Sequence, residues 1–162
     1  MKKLLAVLLV LMLALTMTGC NNDSNGGGNG NGGGNNARLT TECTSEFMGI
    51  MTTVTITSTG DIVDTWVHVD SMLASSFLTE DEIEEMLAEG AFTEELMPGI
   101  TLTIEVVGDY LVYTLAYDYS VLDIHAAIAA GLITLDGGDA DAVSHSSSVE
   151  LMESQGFTCR AR

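Results

Sequence analysis

Apolar and polar positions alternate with a period of two in two stretches of the chain. Val54 and Ile56 alternate with Thr53 and Thr55, and Leu102, Ile104 and Val106 alternate with Thr101, Thr103 and Glu105. Such alternation describes a strand with one buried and one wet face. Each stretch runs into a Gly-Asp pair, Gly60-Asp61 and Gly108-Asp109, the residue types of a tight turn. Beyond the turns the alternation resumes, with Val63, Val67 and Val69 on one face and, in the second copy, Leu111, Tyr113, Leu115 and Tyr117. The chain is therefore expected to form two β-hairpins. A further strand is expected at Leu39–Ser45.

The two hairpins repeat one another. Thr53–Asp70 aligns with Thr101–Asp118 at an offset of 48, with identity at six of 18 positions. Two copies point to a duplicated unit rather than a solenoid. A helix is expected after each hairpin. Thr79 and Glu82 fit a capping box, followed by an apolar stripe of Ile83, Met86 and Leu87 and a stop at Gly90. After the second hairpin Ser120 can cap a helix carrying Ile124, Ala127 and Ile128 that ends at Gly131. Ser147 and Glu150 fit another capping box, opening a short helix through Met152 that stops at Gly156 and lets Phe157 pack back. The expected fold class is α+β: an antiparallel sheet of two repeated ββα units plus an N-terminal strand, helices packed on one face.

The first part of the chain follows another pattern. Lys2-Lys3 precede an apolar run from Leu4 to Leu15 and the tetrapeptide Met17-Thr18-Gly19-Cys20. The run is too short to cross a bilayer, which takes about 20 residues. Two cations, a short apolar core and small residues describe a secretory signal. A cysteine directly after the small residues marks a lipoprotein signal, cut before Cys20 and acylated there. Diacylglycerol on Cys20 would supply the two chains that stable anchoring requires. Residues 21–36 are almost entirely Asn and Gly, with no apolar surface to bury, and read as a flexible tether. The expected organisation is a signal peptide over 1–19, an acylated cysteine and tether over 20–37, and a single acidic domain over 38–162.

Charge narrows the partners. The chain has 5 basic and 23 acidic residues. Removal of Lys2 and Lys3 leaves only Arg38, Arg160 and Arg162 as cations and a net charge of about −20. That excludes a nucleic-acid footprint and disfavours lying flat on an anionic membrane. Beyond Cys20 the chain has two cysteines, Cys43 and Cys159. In an oxidising compartment thiols pair, and two cysteines allow one intramolecular bridge. A Cys43–Cys159 disulfide would close the domain from end to end. A catalytic thiol would instead need a base or cation that activates it; Arg160 adjoins Cys159, but no histidine is near in sequence.

The lipoprotein signal, Cys43 in the first strand, the twin hairpins and the ending Gln155-Gly156-Phe157-Thr158-Cys159 together resemble the YehR-like small bacterial lipoproteins. The resemblance covers about residues 38–160. It implies an α+β domain of uncharacterised function and supplies no catalytic residues to carry over. The chain departs from many such relatives in having no lysine after the signal.

Three groups of residues invite chemistry. By alternation, Asp64, Trp66, His68 and Asp70 share the wet face of the second strand, where an indole, an imidazole and carboxylates could receive a ligand. Asp136, Asp139 and Asp141 could offer oxygens to calcium, but without EF-hand spacing, and three loop aspartates more often only solvate a loop. Ser144-His145-Ser146 brings hydroxyls beside a base, but sequence neighbours seldom reach triad geometry. No cluster has zinc spacing and no cofactor is implied. The expected function is a non-enzymatic envelope lipoprotein, held at the cell membrane by its lipid and facing away from the cytoplasm, that binds an envelope protein or supports the surface. The alternative is a receptor for a small ligand or calcium working with a membrane partner.

Overall fold

The computed structural model describes residues 37–133 and 142–162. The first 36 residues, with Cys20 and the tether, lie outside that range, as do Asp136, Asp139 and Asp141. Seven strands form one antiparallel sheet: β1 (Arg38–Phe47), β2 (Ile50–Thr59), β3 (Ile62–Leu73), β4 (Phe92–Met97), β5 (Ile100–Val107), β6 (Tyr110–Asp118) and β7 (Thr158–Ala161). Their spatial order is β4-β5-β6-β3-β2-β1-β7. A single 3₁₀ turn (Ala74–Ser76) follows β3, and three helices complete the described chain: α1 (Glu80–Glu89), α2 (Ile124–Ala129) and α3 (His145–Ser154). Among the described residues no helix is long and apolar enough to cross a membrane.

Both expected hairpins are present, β2–β3 turning at Gly60-Asp61 and β5–β6 at Gly108-Asp109. The strands after the two turns differ. Thr57 pairs with Thr65 and Ser58 with Val63, so Asp64 has no partner on β2 and forms a β-bulge. One extra residue reverses which face every later side chain points to. Val63 and then Trp66, His68, Asp70 and Met72 are buried, while Val67 and Val69 are only half-buried. The face expected to be wet is thus the core face. In β6, which has no bulge, Leu115 is buried and Tyr113 and Tyr117 are partly so, as the alternation requires.

The core has two parts. Cys43, Val54, Ile56, Val63 and Trp66 form the first, with Met152 of α3 packed among them. Ile100, Leu102, Ile104 and Leu115 form the second, with Leu122, Ala127 of α2 and, at its margin, Met86 of α1. Tyr117 and Tyr119, stacked with ring centroids 6.2 Å apart, border both. At the start of β5 the backbone passes so close that a Cβ on Gly99 would lie 2.8 Å from the Asp118 carbonyl oxygen, and its φ of +89° adds to the demand for glycine.

The helix starts refine the sequence reading. Thr79 and Glu82 make the capping box as expected. Asp123, not Ser120, caps α2 by accepting from the Ala126 amide; Ser120 instead donates to the Asp118 carboxylate in the preceding turn. Ser144, not Ser147, caps α3, which begins one turn earlier than the Ser147–Glu150 pattern implies. Gly131 and Gly156 follow α2 and α3 with positive φ, and Phe157 packs back beside Met152. Strands β4 and β7 were not expected.

Candidate functional site

The β1–β7 ladder aligns Cys43 with Cys159, and the two are disulfide-bonded across a sequence separation of 116. The bridge lies in the first core cluster, where Cys43 is fully buried. Beyond it Glu42 and Arg162 form an ion pair at the outer edge.

The group Asp64, Trp66, His68, Asp70 divides. Asp64, at the bulge, is turned to the rim, where its carboxylate accepts from the Thr59 hydroxyl at 2.8 Å. Trp66 enters the core. His68 and Asp70 meet in the buried centre of the sheet: His68 Nε2 donates to Asp70 Oδ2 at 3.0 Å, and Thr52 Oγ1 on the neighbouring strand donates to Asp70 Oδ1 at 2.5 Å. Burial alone would raise the Asp70 pKa. The hydrogen bond and charge of His68, together with Thr52, outweigh that, and its pKa lies below the ordinary carboxylate value. Burial, joined by the negative charge retained on Asp70, raises the pKa of Tyr113. Thr52 and Tyr113 join this group because of register: Asp70 sits opposite Thr52 on β2 and Tyr113 on β6. Sequence alternation alone carried no such signal. Burial pushes the Tyr117 hydroxyl up to about 12 and raises that of Tyr119 as well, so both rings stay neutral.

A second polar cluster forms around α3. His145 is buried and its ring bridges two strands, with Nε2 2.9 Å from Thr41 Oγ1 and Nδ1 2.7 Å from Ser58 Oγ. Ser144 and Ser146 turn away from it to Asp61 in the β2–β3 turn, whose carboxylate accepts from the Ser144 hydroxyl and the Ser146 amide, each at 2.8 Å. Those hydrogen bonds, the amide first, hold the Asp61 pKa below its ordinary value. Backbone bonds add to the seam: the His145 amide donates to Asp61 O and the Val63 amide to Val143 O. The Ser58–His145 contact has the spacing of a nucleophile and its base. Ser58 is fully enclosed, however, so no substrate reaches its hydroxyl. The cluster pins the helix to the sheet.

Among the described residues no three His, Cys, Asp or Glu side chains are grouped closely enough to hold a metal ion. What the arrangement can offer lies on its outside: a sheet face whose central positions are Thr53, Thr55, Thr65, Val67, Val69, Thr114 and Ala116, and an end rich in exposed apolar side chains.

No protein-family model matches the chain, and no curated protein sequence does. Two solved structures share its fold. The solution structure of Escherichia coli YehR superposes with a TM-score of 0.56 at 15% identity, covering 76% of this chain and 91% of that one. A Streptococcus pneumoniae protein superposes with a TM-score of 0.51 at 16% identity, covering 88% and 98% respectively. The fold is YehR-like.

Proposed function

We propose that this chain is an extracytoplasmic lipoprotein, anchored through Cys20, whose domain is a non-enzymatic binding or surface-support module. The observation that carries this reading is the Cys43–Cys159 bridge. A structural disulfide between the first and last strands needs an oxidising compartment, and the signal pattern ahead of Cys20 supplies the route there. The enclosure of both buried histidines supports a binding rather than a catalytic role, since each ring is committed to side chains of its own core. On the same reading the chain is a diverged member of the YehR-like lipoproteins. Its two hairpins, each followed by a helix packed on the core face, descend from one duplicated unit.

Metabolic labelling with an alkyne fatty acid tests the anchor. Wild type should incorporate label and partition with membranes, and Cys20→Ser should do neither. An intact mass that retains residues 1–19, with both domain thiols free, would overturn the proposal.

A further inference from the structure

One end of the sheet is unlike the rest of the uncovered face. Along that face the strands present mostly Thr, Ser, Glu and small apolar residues. Where β1 turns into β2, β3 ends and β5 turns into β6, they present large apolar ones instead. Leu73, Tyr110 and Val107 are cross-strand neighbours on β3, β6 and β5, and Met51 lies diagonally beside Leu73. All four are about half exposed. The β1–β2 turn adds Met48, 85% exposed, and at the rim Phe47, 72% exposed, which by the alternation of β1 shares the side of Cys43 rather than that of Met51. Large apolar side chains that adjoin in this way mark an interaction site, unlike the scattered single ones normal on a surface.

The turn itself is costly. Met48 has a φ of +51° and is the one non-glycine described residue with positive φ. Two-residue hairpin turns of this kind favour Asn or Asp followed by Gly. A methionine there is strained and fully offered to solvent, a combination that neither folding nor solubility favours.

Charge selects the occupant. The row next to the apolar one runs Glu46–Met51–Ser71–Val112–Glu105 across five strands, so a carboxylate stands at each side of the patch, and Asp109 sits in the β5–β6 turn beyond it. The arginines all belong elsewhere, Arg38 at the other end of β1, Arg160 and Arg162 on the β7 edge. A second copy would bring these carboxylates against their own kind, and an anionic lipid surface would meet the same repulsion.

We propose that this end of the sheet is a docking surface for a protein whose apolar contact residues are flanked by Lys or Arg. Met48 is its anchor, with Phe47 at the rim beside it, and Glu46, Glu105 and Asp109 orient the partner. The proposal deepens the binding reading above and rests on it for the domain's role, but not on acylation, so a failed labelling experiment leaves it standing.

The test uses the full chain purified from producing cells and a synthetic amphipathic helix of Leu and Lys. A Leu/Glu helix of the same apolar face and phosphatidylcholine vesicles serve as comparisons. The Leu/Lys helix should bind, more weakly at high salt, and should shift the methyl NMR signals of Met48 and Met51 more than that of Met86 on α1. The double variant Phe47→Ser, Met48→Asn should weaken binding at least tenfold. Asn suits the turn better than Met, so this variant should fold, and circular dichroism checks that it does. The proposal is overturned if the Leu/Lys helix fails to bind, if wild type and the folded variant bind it equally, or if the largest shifts fall on Met86. It is also overturned if the Leu/Glu helix binds as well, or if the variant instead abolishes a dimer or vesicle binding.

Discussion

The two halves of the sheet each contain a hairpin with a Gly-Asp turn and are held in different ways. On the β1, β2, β7 side the core is riveted: a disulfide, a histidine bridging two strands and an aspartate capping α3 from a distant turn all cross it. On the β4, β5, β6 side the cohesion is mainly apolar. There α1 has no fully buried residue, Leu87 is more than half exposed, and β4 is an edge strand whose first four residues are exposed. The difference shows that a shared strand pattern sets the ladder, while side chains far apart in sequence decide which half is rigid. Local opening is therefore expected to begin at α1 and β4, where burial is least.

Removing the bridge is the hardest blow to that contrast. Cys43→Ala with Cys159→Ala should cost on the order of 4–5 kcal/mol for a closed loop of more than 100 residues, read as a lower denaturation midpoint. If the loss is under about 1 kcal/mol, the riveted half is no more rigid than the other. His145→Ala comes next. It strands the Thr41 hydroxyl in the core and leaves Ser58 only the Gly60 carbonyl, and should cost about 1–3 kcal/mol, with hydrogen exchange accelerating in β1 and α3 but not in β5.

Acid should act at the boundary between the halves. The folded state holds the Asp70 carboxyl's pKa below that of the unfolded chain, where it is about 4. Its contribution is therefore complete above that unfolded value and drains as pH falls through the folded one. Asp70→Asn should flatten the loss of stability below about pH 4, measured by denaturation at a series of pH values; an unchanged slope would refute the pairing with His68. The smallest effect belongs to the softer half. Thr79→Ala removes the α1 capping box and should cost about 1 kcal/mol, with faster exchange confined to α1.

Much of the fold was legible along the chain. Threonine alternation and the two Gly-Asp turns located four strands, Thr79 with Glu82 fixed the start of α1, and the two cysteines found each other. What was hidden was non-local. The bulge at Asp64 reverses the facing of Trp66, His68 and Asp70, and nothing in a run of alternating residues announces an extra one. Ser144 and Ser147 both suit a helix start, and the choice is made by Asp61, more than 80 residues earlier. Phe92–Met97 mixes two glutamates with apolar residues without alternation, and becomes a strand because the β5 edge offers it hydrogen bonds. The candidate site shared this fate: Asp70 was visible, but its partner Thr52 emerges only once register is known.

The placement of β1 has a mechanical consequence. It is paired along its whole length with β2, over its middle with β7, and is fastened covalently at Cys43. A pull on the chain just ahead of Arg38, resisted by anything that holds β2 or β7, runs parallel to the strand. It loads the ladder in shear, so that many bonds share the tension instead of breaking one by one.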